Sequence, residues 1–221
     1  MHFSSQATQD RPERTALGGL DAIAGTVSFP RNAEIHSQGG TARHCYRILS
    51  GCVRTVKLME DGRRQVNEFL FPGDWFGFEA EGEFEFAAEA VGPVVLHRYP
   101  RPAFDALAAR EPAAASWLLG LAAAQLRHAR DRMVTLGRRT ATERIAGFLS
   151  EMAARQPRES GSAVALPMSR GDIADHLGLT IETVCRTLAQ MRRDGAIGLS
   201  RTSFTIRNRA ALQALASATR H

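Results

Sequence analysis

The chain has 221 residues and a mass of 24.1 kDa, with 44% apolar and 23% charged residues, which excludes a fibrous or disordered protein and fits one large or two modest globular domains. Its formal charge of +5 is unevenly placed: residues 138–221 hold thirteen arginines, no lysine and seven carboxylates, whereas 15 basic and 16 acidic residues precede them. Residues 1–10 lack the basic start and apolar run of a secretory signal, and no stretch reaches the roughly 18 apolar residues of a membrane span, so a cytoplasmic chain with no membrane partner is expected. Three cysteines, Cys45, Cys52 and Cys185, are too few for a disulfide framework or a four-cysteine iron-sulfur cluster, and no zinc-finger spacing occurs.

Between residues 33 and 98, short apolar stretches alternate with turns at Gly39-Gly40, Ser50-Gly51, Asp61-Gly62, Pro72-Gly73, Gly82 and Gly92-Pro93. That spacing predicts an antiparallel barrel or sandwich. The clearest hairpin joins residues 46–49 to 52–59 through Ser50-Gly51, and Glu60-Asp61-Gly62 closes the next turn before residues 65–71. Cys45 and Cys52 then fall in strands as small packing residues. No paired buried carboxylates, Ser/His/Asp order or phosphate loop stands out, so the chain does not read as an enzyme.

A different pattern begins at Arg110. Leu119, Ala122, Leu126, Ala129, Met133 and Leu136 are spaced 3, 4, 3, 4, 3, the repeat of two helices packed side by side. Covering the chain's own barrel is the alternative, but alanines at alternate positions favour close approach of a second helix, and hence a homodimer. Residues 140–154 read as a further helix with Ile145, Phe148, Leu149 and Met152 on one face.

After a linker at 155–163, residues 167–186 carry many signals. Ser169 with Asp172 starts a helix, Gly178 permits a tight interhelix turn, and Thr180 with Thr183 starts the next helix. Ile173, Ala174, Leu177, Val184 and Leu188 supply the facing apolar surfaces, so the segment is a helix-turn-helix. Its second helix, residues 180–193, turns Thr180, Glu182, Thr183, Cys185, Arg186 and Gln190 away from the core. Arginine pairs with guanine and glutamate accepts from cytosine, making Glu182, Cys185 and Arg186 the expected base contacts in a major groove. A plain i,i+4 ion pair between Glu182 and Arg186 is the competing explanation. Two strands at 196–200 and 204–206 complete a winged helix, in which Ser169, Arg170, Thr180, Thr183, Ser200 and Arg201 are expected to meet DNA phosphates.

These residues resemble the Crp/Fnr superfamily of bacterial transcription regulators, and within it the FixK-like branch. The resemblance runs from about Ala33 to Leu215 and is most specific in Met168-Ser169-Arg170-Gly171-Asp172-Ile173-Ala174-Asp175-His176-Leu177-Gly178-Leu179-Thr180-Ile181-Glu182-Thr183-Val184. It extends to Tyr46-Arg47-Ile48-Leu49-Ser50-Gly51 and Asp61-Gly62-Arg63-Arg64-Gln65. It implies an α+β chain: a cyclic-nucleotide-binding-like antiparallel β-roll at 1–109, a dimerisation helix at 110–137 and a winged helix-turn-helix at 138–221. The partners it implies are double-stranded DNA bearing a TTGA-N6-TCAA-like palindrome, a second copy of the chain, and RNA polymerase, met through the 57–64 turn or the 156–163 loop. An activator is expected.

Departures from family patterns bear on the input signal. The stretch 77–87 lacks the arginine that holds a cyclic nucleotide's phosphate and is dense in glutamate, so cAMP binding is not expected. Residues 1–44 lack the cysteine cluster of oxygen-sensing Fnr proteins, and the scattered His36, His44 and His97 do not make a haem site. His44-Cys45-Tyr46 likewise lacks the second histidine of a cupin metal site. No cofactor is therefore expected. Cys185, near a helix start and beside Arg186, is the expected redox residue, its oxidation abolishing DNA binding; the alternative is a small residue standing where relatives usually carry serine. A regulator gated by an unidentified small effector in the roll is the competing account of the input.

Overall fold

The computed structural model describes Leu17, Leu20 and residues 23–79, 82–156 and 162–217. They form two compact units, divided between Arg127 and His128.

The first unit contains eight strands: β1 (Gly25–Phe29), β2 (Glu34–His36), β3 (His44–Ser50), β4 (Val53–Leu58), β5 (Arg64–Leu70), β6 (Trp75–Phe76), β7 (Ala87–Ala90) and β8 (Val94–Pro100). They pair into two antiparallel four-stranded sheets, ordered β1-β8-β3-β6 and β2-β7-β4-β5. This is the β-roll expected from the sequence. Its interior is filled by Tyr46, Ile48, Val53, Phe76, Phe84, Ala88 and Leu96. Cys45 and Cys52 are buried, and burial pushes the Cys45 thiol up to about 12.

One expected hairpin does not form. β3 pairs with β6 and β8, whereas β4 pairs with β5 and β7, so Ser50-Gly51 carries the chain from one sheet to the other. Gly51 has φ +94°, and a Cβ there would lie 2.4 Å from the Pro93 carbonyl oxygen. The turn residues were correctly placed, but a glycine turn fits a crossover as well as a hairpin. The next turn does close a hairpin, β4 to β5: the Met59 N–H donates to the Arg63 carbonyl (2.9 Å), and Gly62 takes φ +80°.

Two helices follow the roll, α1 (Arg101–Arg110) and α2 (Pro112–Arg138). The sequence reading missed α1, and the long helix starts at Pro112 rather than Arg110. Pro102 opens α1 where a missing N–H costs nothing, and Phe104 is its buried residue. Phe104 joins Trp75, Phe78, Tyr99 and Trp117 in an aromatic cluster, with Trp75 edge-on to Trp117 at 5.2 Å. Buried Ala114 and the partly buried Trp117, Leu118 and Leu121 are therefore the α2 residues that pack on this cluster. Leu119, Leu126 and Met133 stay 72%, 52% and 74% exposed, so the stripe does not cover the chain's own barrel.

The second unit contains the end of α2, then α3 (Ala141–Arg155), β9 (Val164–Ala165), α4 (Arg170–Leu177), α5 (Ile181–Arg193), β10 (Ile197–Leu199), β11 (Ser203–Ile206) and α6 (Arg209–Ser217). The expected two-stranded wing gains β9 as a third strand, in the order β10-β11-β9. Ile145, Leu149, Ile173, Leu188, Phe204 and Leu212 are each at most 1% exposed and form the core. Among the described residues, no helix is long and apolar enough to cross a membrane.

His36 is an imidazole packed among the aromatic rings of Tyr46, Phe76 and Phe84. It stacks on Phe84 at 3.6 Å between ring centroids, neither ring nitrogen has a hydrogen-bond partner, and burial lowers its pKa to about 4, a nearby Ser37 backbone group opposing part of that shift. Because the unfolded chain takes up a proton near pH 6.5 and the folded one near pH 4, stability is full above pH 6.5 and falls between those values, by up to about 3 kcal/mol. Urea unfolding at pH 7.5 and 4.5 should show this loss in the wild type, and His36→Phe, which keeps the stack, should remove that part of it. An unchanged pH dependence in the variant would refute it.

Candidate nucleic-acid interface

The motif is built from two capped helices. Ser169 caps α4 reciprocally with Asp172: the Asp172 N–H donates to Ser169 Oγ (3.0 Å), and the Ser169 N–H donates to Asp172 Oδ2 (3.0 Å). α4 ends at Gly178, which adopts φ 62° and ψ 45° and turns the chain toward α5. Thr180 caps α5, its hydroxyl accepting the Thr183 N–H at 3.2 Å.

Helix α5 is held by one face. Val184, Leu188 and Met191 are buried, while Glu182, Cys185 and Arg186 are exposed. Among the described residues Glu182 and Arg186 form no ion pair with one another, so the competing explanation for their spacing is not realised. The Glu182 carboxyl is held below the usual range by its own backbone N–H and the Thr180 hydroxyl, and stays ionised at neutral pH. Arg186 lines a shallow groove with Thr142, Thr187, Met191 and Leu215. Gln190 is engaged within its own helix, donating to Asp194 Oδ1 (2.7 Å) and accepting from Arg193 Nη2 (2.5 Å).

A second cluster lies beside that face. Arg170 Nη2 donates to the Ser200 carbonyl (3.3 Å), tying the first residue of α4 to the wing tip, where Ser200 and Arg201 are exposed. Burial lowers the Arg170 pKa, and Cys185 opposes that shift, which puts the thiol within electrostatic reach of this guanidinium. Cys185 is the fifth residue of α5 and lies in its second turn, beyond the unpaired amides of the helix start. Its charged neighbour across the motif is Arg170. The hydroxyls of Ser169 and Thr180 serve as caps, and Ser200 Oγ lies 2.7 Å from Ser203 Oγ.

The α2 stripe divides. Leu119, Ala122, Leu126, Ala129 and Met133 are exposed, but half-buried Leu136 turns toward the helix-turn-helix, its Cδ2 3.4 Å from where a Cβ on Gly178 would sit. Arg144, which the sequence reading passed over, contacts the carbonyl ends of both α2 and α4.

The description of a Crp-like helix-turn-helix domain matches residues 143–215, and that of a cyclic nucleotide-binding domain matches residues 26–111. The nitrogen fixation regulation protein FixK of Azorhizobium caulinodans is 43% identical over 200 residues, spanning 89% of this chain and 81% of that protein. The chain is a FixK-like member of the Crp/Fnr family. FixK of Bradyrhizobium diazoefficiens is 39% identical over 204 residues, 91% of this chain and 86% of that protein. The solved structure of FixK2 from Bradyrhizobium japonicum superposes with a TM-score of 0.85 at 39% identity, covering 89% of this chain and 99% of that one. The FixK-like chain is thus a transcription regulator with a DNA-binding helix-turn-helix, and not an enzyme.

Proposed function

We propose that this regulator is a cytoplasmic homodimer that activates transcription by reading a TTGA-N6-TCAA-like palindrome through α5, without cAMP or an iron-sulfur cluster. Residues 1–109 serve as the sensor-like roll, 110–137 as the dimerisation helix and 138–221 as the DNA-binding module. The observation that carries the reading is the outward face of α5, where Glu182 and Arg186 stand exposed without pairing to each other, flanked by Arg170, Ser200 and Arg201. Glu182 accepts from a cytosine amino group, Arg186 donates to the paired guanine, and Cys185 completes the base contacts. Ser169, Arg170, Thr180, Thr183, Ser200 and Arg201 meet phosphates. RNA polymerase is met through the 57–64 hairpin turn or the 156–163 loop, of which residues 157–161 lie outside the described residues.

Independence from cAMP is supported by the charge of the roll: among the described residues Arg54 is its only buried cation, and its cross-strand neighbour Glu89 already pairs with it at 2.6 Å. Arg186→Ala should weaken binding to the palindrome by about 1–3 kcal/mol and relax preference at one G·C pair, whereas Arg170→Ala should weaken all duplexes alike. Titrations on specific and random DNA decide this, and equal losses for Arg186→Ala on both would remove its base-reading role.

The dimer is supported by the apolar stripe that the roll leaves uncovered, with Leu126 52% and Met133 74% exposed. Light scattering should find a dimer in the wild type and a monomer in Leu126→Glu/Met133→Glu. A variant that remains dimeric would move the seam elsewhere.

Cys185 is proposed as the redox site. Peroxide converts its thiolate to a sulfenic acid with release of hydroxide, and further oxidation to sulfinate adds a negative charge beside Arg170 and against DNA phosphates. Gel shifts should show binding abolished by mild peroxide, restored by dithiothreitol, and resistant in Cys185→Ser. Loss of binding while mass spectrometry finds Cys185 still a thiol would exclude it.

A further inference from the structure

The carbonyl ends of two helices converge on one guanidinium. Arg144, in the first turn of α3, donates from Nη2 to the Leu136 carbonyl (2.8 Å) and from Nε to the Arg139 carbonyl (3.0 Å), both at the end of α2. Its Nη1 donates to the Leu177 carbonyl (2.9 Å) and the Gly178 carbonyl (3.3 Å), at the end of α4. All five residues lie within the second unit. Helix C-termini carry unpaired carbonyls and the negative end of the helix dipole, so each of the two favours a cation. Only a guanidinium has enough donors, in a rigid fork, to serve two such ends at once. Two further contacts run alongside: Arg132 Nη1 lies 3.1 Å from His176 Nδ1, and Leu136 covers Gly178.

We propose that Arg144 is a positioning residue that sets the direction of the α4–α5 head against the end of α2, and so the separation of the two heads on DNA. The inference rests on the dimeric reading above. The heads of such a dimer stand about 34 Å apart, so a tilt of about 10° over half that distance moves a head by about 3 Å, close to one base-pair step. The head itself is packed by Ile173, Leu177, Val184 and Leu188, all buried, and does not depend on Arg144 for its core.

The experiment uses full-length protein and three palindromic duplexes that differ only in spacer: the preferred length, one base pair shorter and one longer, with a single half-site as reference. The wild type should prefer one spacer by about tenfold, and Arg144→Ala and Arg144→Lys should cut that preference to about threefold or less while half-site binding stays near wild type. A general weakening with the spacer ratio unchanged would overturn the proposal. If Arg144→Ala does not fold, Arg144→Lys, which keeps the charge but not the fork, carries the same test. Amide hydrogen exchange without DNA supplies an independent measure: residues 135–139 and 177–179 should both exchange faster in Arg144→Lys, and acceleration of one or neither would overturn the clasp. A wild type indifferent to palindromy contradicts the dimeric reading instead, and exchange then decides the clasp alone.

Discussion

The burial of Val184, Leu188 and Met191 fixes the rotation of α5, and the interface follows from that rotation. Each helical residue advances about 100°, so a register shift of one would carry an apolar side chain toward solvent and a polar one into the core. With those three residues at 0%, 1% and 1% exposure, Glu182 and Arg186 have no place but the outward face. The caps at Ser169 and Thr180 and the left-handed Gly178 then hold α5 against α4. The same contacts that stabilise the domain leave Glu182 and Arg186, unpaired with one another, on the outward face of α5.

The roll contributes differently. Its interior is filled by aromatic and aliphatic side chains, Tyr46, Phe76, Phe84 and Leu96 among them. What it presents outward is α2, anchored by Trp117 through the aromatic cluster and turning an apolar stripe to solvent. An exposed stripe of this kind on a helix of 27 residues is expensive unless a partner covers it.

Much of this was legible in the sequence because the signals were local. Ser169-x-x-Asp172, Gly178 and the Val184/Leu188 spacing identify the helix-turn-helix through caps and periodicity, and the structure realises each of them. The failures are of two kinds, contacts set far along the chain and elements too short to carry a pattern. Ser50-Gly51 announces a turn, but whether its strands pair with each other depends on strands far along the chain. Helix α1 buries only Phe104, too little periodicity to detect, and β9 is two residues long. Arg144 is one of thirteen arginines in its third of the chain, and nothing local marks it as the residue that two helix ends share. Leu136 continues the stripe in spacing but turns to Gly178, because the turn passes beside it.

Selection from random duplex DNA by the reduced, full-length protein tests the central claim most directly, since it reads sequence preference and symmetry together. Enrichment of a twofold-symmetric sequence with TTGA-like half-sites is the result expected of two α5 helices reading through Glu182 and Arg186. Absence of enrichment, or an enriched sequence without twofold symmetry, would contradict it.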